Sequence, residues 1–154
     1  MSSRQRGVTL IEMIIVVTLV GLIAAISFPS VAAGLESLRL TAACDSIVSF
    51  LNSGLNRAER RQEAVEVTIS KAENSLSLRS VDPTFIKTLE MPDGVKITRM
   101  LPEHPLGVDE VRRAYLIYPA GTIPRFGIEI ANTKGSKRIV RVDPITGVPR
   151  IERP

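Results

Sequence analysis

The sequence has few of the residues that most often carry chemistry. Its 154 residues include one cysteine, Cys44, one histidine, His104, and no tryptophan. A single cysteine excludes an intramolecular disulfide, and we expect Cys44 to be a small packing residue. His104 lies in the loop-like stretch Pro-Glu-His-Pro, with no partners spaced for a zinc site or a Ser/His/Asp triad, so we expect an exposed loop histidine. The adjacent acids Asp109-Glu110 are typical of a solvated turn. We therefore expect no catalytic residue, no metal site and no cofactor.

Charge is missing from one long stretch. Between Arg6 and Glu36 the only charged residue is Glu12. As a helix, the apolar run 8–33 would span about 39 Å, against about 30 Å for the hydrocarbon core of a bilayer. Two arginines precede the run, so the positive-inside rule keeps residues 1–7 in the cytoplasm. The sequence thus predicts a transmembrane helix over 8–33, with the rest of the chain on the far side of the membrane.

The carboxylate of Glu12 separates three interpretations of this run. A secretory signal peptide has an apolar region of about 7–15 residues and no acid within it. A plain membrane anchor fits the length, but it too has no use for an acid that costs about 2–3 kcal/mol when unpaired in the membrane. The third interpretation is a membrane segment in which the acid has a function.

Residues Arg6-Gly7-Val8-Thr9-Leu10-Ile11-Glu12 resemble the cleavage and methylation motif of type IV prepilins and pseudopilins. The resemblance implies that a membrane-embedded prepilin peptidase cuts after Gly7 and methylates the new amino terminus on Val8. Residues 1–7 would then be a leader peptide, and Glu12 would be the fifth residue of the mature chain. Loss of the leader removes two arginines, so the formal net charge falls from +4 to +2.

The same resemblance gives Glu12 and Pro29 roles in assembly. Cleavage creates a positive amine in apolar surroundings, where Glu12 is the only nearby charge that can neutralise it. In a filament the amine of one subunit can pair with Glu12 of its neighbour, and such a buried pair specifies register more than stability. Pro29 stands where pilin helices commonly carry a proline, which implies a bend or melting on assembly; the alternative is a boundary between membrane helix and domain.

After the apolar run, the apolar spacing becomes that of an amphipathic helix. Steps of three and four place one set of residues on a common face: Val31, Leu35, Leu38, Ala42, Ile47, Val48, Leu51, Leu55 and Ala58. Basic residues in the last turns suit a helix C-terminus. We predict one helix over about 9–62, bent or broken near Pro29, whose part 34–62 continues into the folded domain.

From residue 63 onward the period changes to two, and turn residues separate short alternating segments. The predicted strands are 65–69, 76–79, 85–90, 95–100, 114–118, 126–130 and 138–142. Short strands at this spacing predict an antiparallel sheet covered by the apolar helix face. The predicted fold class is α+β, with a long N-terminal helix packed on an antiparallel β-sheet domain over 63–154.

The whole arrangement resembles the H-type minor pseudopilins of type II secretion and related minor pilins, the GspH/FimT family. Similar segments are Leu55-Asn56-Arg57-Ala58-Glu59-Arg60-Arg61, Tyr118-Pro119-Ala120-Gly121 and Thr146-Gly147-Val148-Pro149-Arg150. The resemblance implies a structural, non-enzymatic subunit that crosses the inner membrane once, with its C-terminal domain in the periplasm. It would then join a pseudopilus or pilus filament together with other pseudopilins or pilins.

The basic C-terminal end leaves a second function open. From Arg125 onward, seven basic residues stand against three acidic ones. Some members of the family carry a basic Gly-Arg-x-Arg tail, of which this chain has Gly147-Val148-Pro149-Arg150, without the first arginine. Clustered positive charge suffices for phosphate contact, so a minor pilin that binds DNA during uptake is the alternative function. The candidate DNA-binding residues are Arg150, Arg153, Lys137, Arg138 and Arg141. These side chains would otherwise protect a solvated strand edge.

Overall fold

The structure is a computed structural model that describes residues 8–105, 110–121 and 123–153, without the side chains of 29–33. The chain divides into two compact units, Met1–Leu35 and Glu36–Pro154. One helix, α1 (Leu10–Arg61), has parts in both units. The strands are β1 (Val65–Ser70), β2 (Ser75–Ser80), β3 (Ile86–Glu90), β4 (Val95–Leu101), β5 (Arg112–Ile117), β6 (Gly127–Asn132), β7 (Lys137–Val142) and β8 (Pro149–Glu152).

Among the described side chains of the first unit, none is buried. Its large apolar side chains between Val8 and Phe28 are all exposed, from 49% for Val16 upward. The stretch Leu10–Phe28 has a mean hydropathy of 2.6 and is long enough to cross a membrane, the one such helix among the described residues. An apolar surface of this extent needs lipid or apolar neighbours around it. The backbone is helical through Pro29, and the predicted bend there stays a prediction.

In the second unit, α1 buries one stripe of side chains against the strands. The buried residues recur every three or four positions: Leu40, Ala43, Cys44, Ile47, Leu51 and Ala58. The sequence assignment of this stripe was correct from Ile47 onward and wrong at Leu38, which is 68% exposed, and at Leu35 and Ala42, which are exposed too. The side chain of Val31 lies outside the described part of the chain. Counting back from Ile47 in helical steps reaches Cys44, Ala43 and Leu40, which leaves Leu38 to one side of the stripe. Cys44 is a packing residue, as expected, and burial raises the pKa of its thiol to about 11.

The strands form two antiparallel four-stranded sheets. The first has the order β3-β2-β1-β5 and the second the order β4-β6-β7-β8. The predicted α+β class and all seven predicted strands are confirmed, but the sequence did not show the division into two sheets or the last strand, β8. Both sheets contribute to one core with α1, through residues such as Val67 and Leu78 of the first sheet and Ile128 and Val140 of the second.

The last turns of α1 are fixed to the first sheet by Arg57. Its guanidinium pairs with Glu63 and, at 2.9 Å, with Oδ2 of Asp82 in the turn after β2. It also lies 4.6 Å from the centre of the Phe85 ring. These contacts explain the arginine in the segment 55–61: its side chain ties the end of the helix to the loop between β2 and β3.

Candidate functional site

The helix begins with a capped turn at the predicted processing site. Thr9 immediately precedes α1, and its Oγ1 accepts a hydrogen bond from the backbone N–H of Glu12 at 3.3 Å. Thr9 also supplies the carbonyl for the first helical bond, from the N–H of Met13 at 3.2 Å. The order Thr9-x-x-Glu12 is that of a capping box, and an acid in the first turn is favourable beside the positive end of the helix dipole. The motif therefore starts the helix as well as presenting a carboxylate.

The geometry leaves Glu12 available to a neighbour. Its side chain is exposed, and it is the only acid in the apolar stretch Leu10–Phe28. Val8, the predicted first mature residue, is 66% exposed. Gly7 lies outside the described residues, so cleavage after it and methylation of Val8 stay predictions. The register role of Glu12 also stays a prediction.

The structure distributes the five predicted DNA-binding residues over different surroundings. Successive residues of β7 point to opposite faces of the sheet. Arg138 and Val140 share the core-facing side, and Lys137, Ile139 and Arg141 lie on the other side. The Nζ atom of Lys137 lies 3.1 Å from Glu129, and the Nε atom of Arg141 lies 3.3 Å from Glu152. Arg150 is exposed on the edge strand β8, and Arg153 follows the end of that strand.

The outer face of the second sheet is organised around a buried carboxylate, that of Glu129. Its side chain is 0% exposed, although it points away from the core. Arg99 donates to Glu129 from Nε at 3.1 Å and also from Nη2, Thr98 donates from Oγ1 at 2.8 Å, and Lys137 forms an ion pair. The hydrogen bonds from Arg99 are the main cause that lowers the pKa of Glu129 to about 2, against burial, which acts in the opposite direction. Glu129 thus joins β4, β6 and β7.

Replacing Glu129 with glutamine is expected to destabilise the protein by about 1–3 kcal/mol, because charge-assisted hydrogen bonds to Arg99 and Lys137 are lost. The folded-state pKa lies below the ordinary value of 4.5. The stabilisation by the carboxylate is therefore complete above about pH 5 and disappears as the pH falls toward 2. Thermal unfolding of the full chain in detergent, followed by circular dichroism from pH 7 to pH 3, should show the gap between wild type and Glu129→Gln closing with acid.

Glu103→Gln is the matched control for this experiment. Glu103 pairs with the same arginine, Arg99, at 2.7 Å, but its side chain is 62% exposed. Its replacement should change the stability by less than about 0.5 kcal/mol. Equal losses for Glu103→Gln and Glu129→Gln, or a gap that does not close with acid, would contradict the assignment.

His104, the only histidine of the chain, lies beside a carboxylate, that of Glu110. It lies in a loop, is partly exposed, and its Nε2 atom is 3.7 Å from Oε1 of Glu110, which also pairs with Arg113. The loop location is as predicted, and the histidine is less exposed than predicted. No group of three or more metal-ligating side chains occurs among the residues that the structure describes. Asp109 lies outside them.

Sequence reasoning missed Glu129 and Arg125 as members of charged clusters. The signal for Glu129 was present, since an acid between Ile128 and Ile130 in a predicted strand has to find a partner on a neighbouring strand. Its partners could not be read from the sequence because the pairing of β6 with β4 and β7 was unknown. The sequence analysis counted Arg125 among the basic residues of the C-terminal end. Its membership of a cluster could not be predicted without the register of β7 and β8.

Comparisons with known proteins agree with the motif at the start of the helix and with the fold of the domain that follows. The prokaryotic N-terminal methylation motif matches residues 2–28. The minor pseudopilin EpsH from the type 2 secretion system of Vibrio cholerae has a similar structure, with a TM-score of 0.58 and 12% identity, over 75% of this chain and 98% of that one. The type IV minor pilin FimU of Pseudomonas aeruginosa gives a TM-score of 0.50 and 13% identity, over 77% of this chain and 90% of that one. A search of curated protein sequences gives no match.

At these identities the structural matches establish the fold, and the motif at residues 2–28 supplies the independent sequence link. A methylation motif that leads into a helix of this length and hydropathy supports membrane anchoring. The two neighbours are a minor pseudopilin and a minor pilin, and the motif implies processing by a prepilin peptidase and assembly with other pilins or pseudopilins. The chain therefore combines a prokaryotic N-terminal methylation motif over residues 2–28 with a domain whose fold is that of the minor pseudopilin EpsH.

Proposed function

We propose that this chain is a structural minor pseudopilin of a type II secretion pseudopilus. Prepilin peptidase removes residues 1–7 and methylates Val8. The helix over 8–33 holds the subunit in the inner membrane, with its C-terminal domain in the periplasm, until assembly. The observation that carries this proposal is a helix with apolar side chains exposed on all sides from Leu10 to Phe28 and a single acid, Glu12, in its first turn.

The exposed helix supports assembly by helix packing. Its apolar side chains contact lipid before assembly and can contact neighbouring helices afterwards, so transfer from bilayer to filament exposes little apolar surface to water. Leu38, in the second unit, adds an exposed apolar position beside the buried stripe. Within this surface Glu12 is the group whose position matters most, because an unpaired charge is costly in apolar surroundings. Pairing with the amine of a neighbour fixes the axial position of each subunit.

The charge distribution favours the secretion pseudopilin over the DNA-binding minor pilin. A nucleic-acid surface needs several free cations on one face. Two of the five candidate cations, Lys137 and Arg141, have acidic partners, and Arg138 is on the core-facing side of its strand. The structural match that covers 98% of the secretion pseudopilin EpsH is further support.

Deletion of the gene in its own host tests the proposal. We expect loss of the proteins secreted by the type II system from the culture medium, with surface pili and DNA uptake unchanged. The full chain supplied in trans should restore secretion, and the same chain with Glu12→Ala should not. Loss of pili or of DNA uptake, with secretion intact, would contradict the pseudopilin function and favour the minor pilin.

A further inference from the structure

A cleft with a volume of about 500 Å³ lies at the end of the second sheet, beside the turn from β7 to β8. One row of register partners crosses the sheet there: Leu101 of β4, Gly127 of β6, Arg141 of β7 and Arg150 of β8. Gly127 places no side chain between Leu101 and Arg141. A Cβ atom built on Gly127 would lie 3.2 Å from the carbonyl oxygen of Val140 and 3.5 Å from the Cβ atom of Leu101, so the space at Gly127 is already filled. The lining of the cleft has an apolar side, with Leu101 and Pro102, and an arginine side, with Arg141 and Arg150.

The cleft contains two arginines that form no ion pair with any of the described residues. Arg125, Arg141 and Arg150 line it together with Asp143 and Glu152. Glu152 pairs with Arg141 at 3.3 Å. The carboxylate of Asp143 accepts hydrogen bonds from the backbone N–H groups of its own turn, which chiefly lower its pKa, and the charge of Arg150 lowers it further. Within the described residues, Arg125 and Arg150 make neither a hydrogen bond nor an ion pair, and both are exposed.

Apolar groups lie next to these two arginines. Leu101, Pro102 and Pro144 line the same cleft, and none of them is buried. A guanidinium binds a carboxylate through two parallel hydrogen bonds, and an adjacent apolar surface favours a ligand that carries an apolar group as well. The combination of free cation and apolar surface is typical of sites that bind a segment of polypeptide.

We propose that this cleft binds an extended acidic peptide segment of a partner protein. Arg125 and Arg150 hold a carboxylate of the segment, and an adjacent apolar side chain lies on Leu101, Pro102 and Pro144. The site does not depend on cleavage, on methylation or on Glu12, so it stands apart from the assembly function proposed above. It assigns to Arg125 and Arg150 a role in recognition that the pilin-like fold alone does not give them.

An acidic peptide fits this cleft better than a nucleic acid does. Phosphates repeat along a nucleic-acid backbone, and each brings a negative charge to the surface. The carboxylates of Asp143 and Glu152 lie in the same cleft and disfavour a chain with a charge on every residue more than a peptide with one or two carboxylates. A peptide with one or two carboxylates can place them on the arginines and present apolar side chains elsewhere. The apolar lining has no counterpart in a phosphate backbone.

Fluorescence anisotropy tests the proposal on the full chain in uncharged detergent micelles. The probe is a fluorescein-labelled peptide, Gly-Glu-Leu-Glu-Leu-Gly, and its partner probe has glutamine in place of both glutamates. A labelled 12-base-pair DNA duplex is the third probe, at the same salt concentration. The test variant is Arg125→Gln/Arg150→Gln. The control variant, Arg60→Gln/Arg112→Gln, makes the same charge change at two exposed arginines outside the cleft.

We expect the acidic peptide to bind wild type and the control variant equally, and the test variant about tenfold more weakly. The glutamine peptide should bind wild type about tenfold more weakly than the acidic one. Circular dichroism should show the same helix content in wild type and in both variants, because all four substituted arginines are exposed. Equal binding of the two peptides, or equal loss in the two variants, would overturn the proposal. So would binding of the duplex without binding of the acidic peptide, since the cleft would then be a phosphate site.

Discussion

Replacement of Gly7 by valine is expected to leave essentially all of the chain uncleaved when it is produced together with its prepilin peptidase. In the resemblance to type IV prepilins, Gly7 is the residue before the cut. A residue without a side chain suits the extended, uncrowded approach that a protease needs, and a β-branched side chain obstructs it. Intact-mass measurement of the purified chain distinguishes the products, since cleavage removes residues 1–7 and methylation adds one methyl group.

The matched control is Gly21→Val, which adds the same side chain within the following helix. A Cβ atom built at Gly21 meets no other atom within 4 Å, so the substitution is sterically free in the isolated subunit. We expect Gly21→Val to be processed like wild type. Recovery of chains that begin at Val8 from Gly7→Val would refute the cleavage assignment. Loss of cleavage in both variants would show that an added valine impairs processing wherever it stands in this segment, and not through the cleavage site alone.

The helix and the order of strands were predictable because each depends on local spacing. The boundaries 9–62 agree with Leu10–Arg61 to within one residue, since Thr9 caps one end and basic residues with Gln62 at a positive φ close the other. β8 was missed for a physical reason: Pro149 at its start is a poor strand former, and the strand has only four residues. Its pairing with β7 depends on register, which the period of a single strand does not contain.

The grouping of the charged side chains was also not predictable, because it too depends on strand register. The sequence grouped Lys137, Arg138 and Arg141 by proximity along the chain, but β7 directs its residues to alternate faces. Lys137 therefore belongs with Glu129, Arg141 with Glu152, and Arg138 with the core-facing side. Arg125, outside the predicted set, lines a cleft with Arg150. Predicting these groupings required the strand register across three connections.

Replacement of Glu12 by alanine is expected to leave cleavage after Gly7 intact but to reduce incorporation into filaments by about a hundredfold. Removal of one partner from a buried ion pair costs on the order of 3 kcal/mol, because the other charge stays buried without compensation. A tenfold change in an equilibrium corresponds to about 1.4 kcal/mol, so one broken pair for each added subunit accounts for this loss. The measurement is the amount of the variant in sheared filaments, relative to processed variant left in the membrane, when the partner subunits are produced with it.

Glu12→Gln separates the predicted register role of this residue from a contribution of its side chain to the start of the helix. The N–H of Glu12 bonds to Thr9, and glutamine serves a capping box as well as glutamate does, so the helix start is preserved without the charge. If the ion pair with the neighbouring amine sets the register, Glu12→Gln should fail in filaments as Glu12→Ala does. Normal incorporation of Glu12→Gln, with loss in Glu12→Ala, would assign the requirement to capping and remove the register argument. Thr18→Val is the control: it removes the hydroxyl that bonds to the carbonyl of Ile14 at 2.7 Å in the same helix, and it should assemble like wild type.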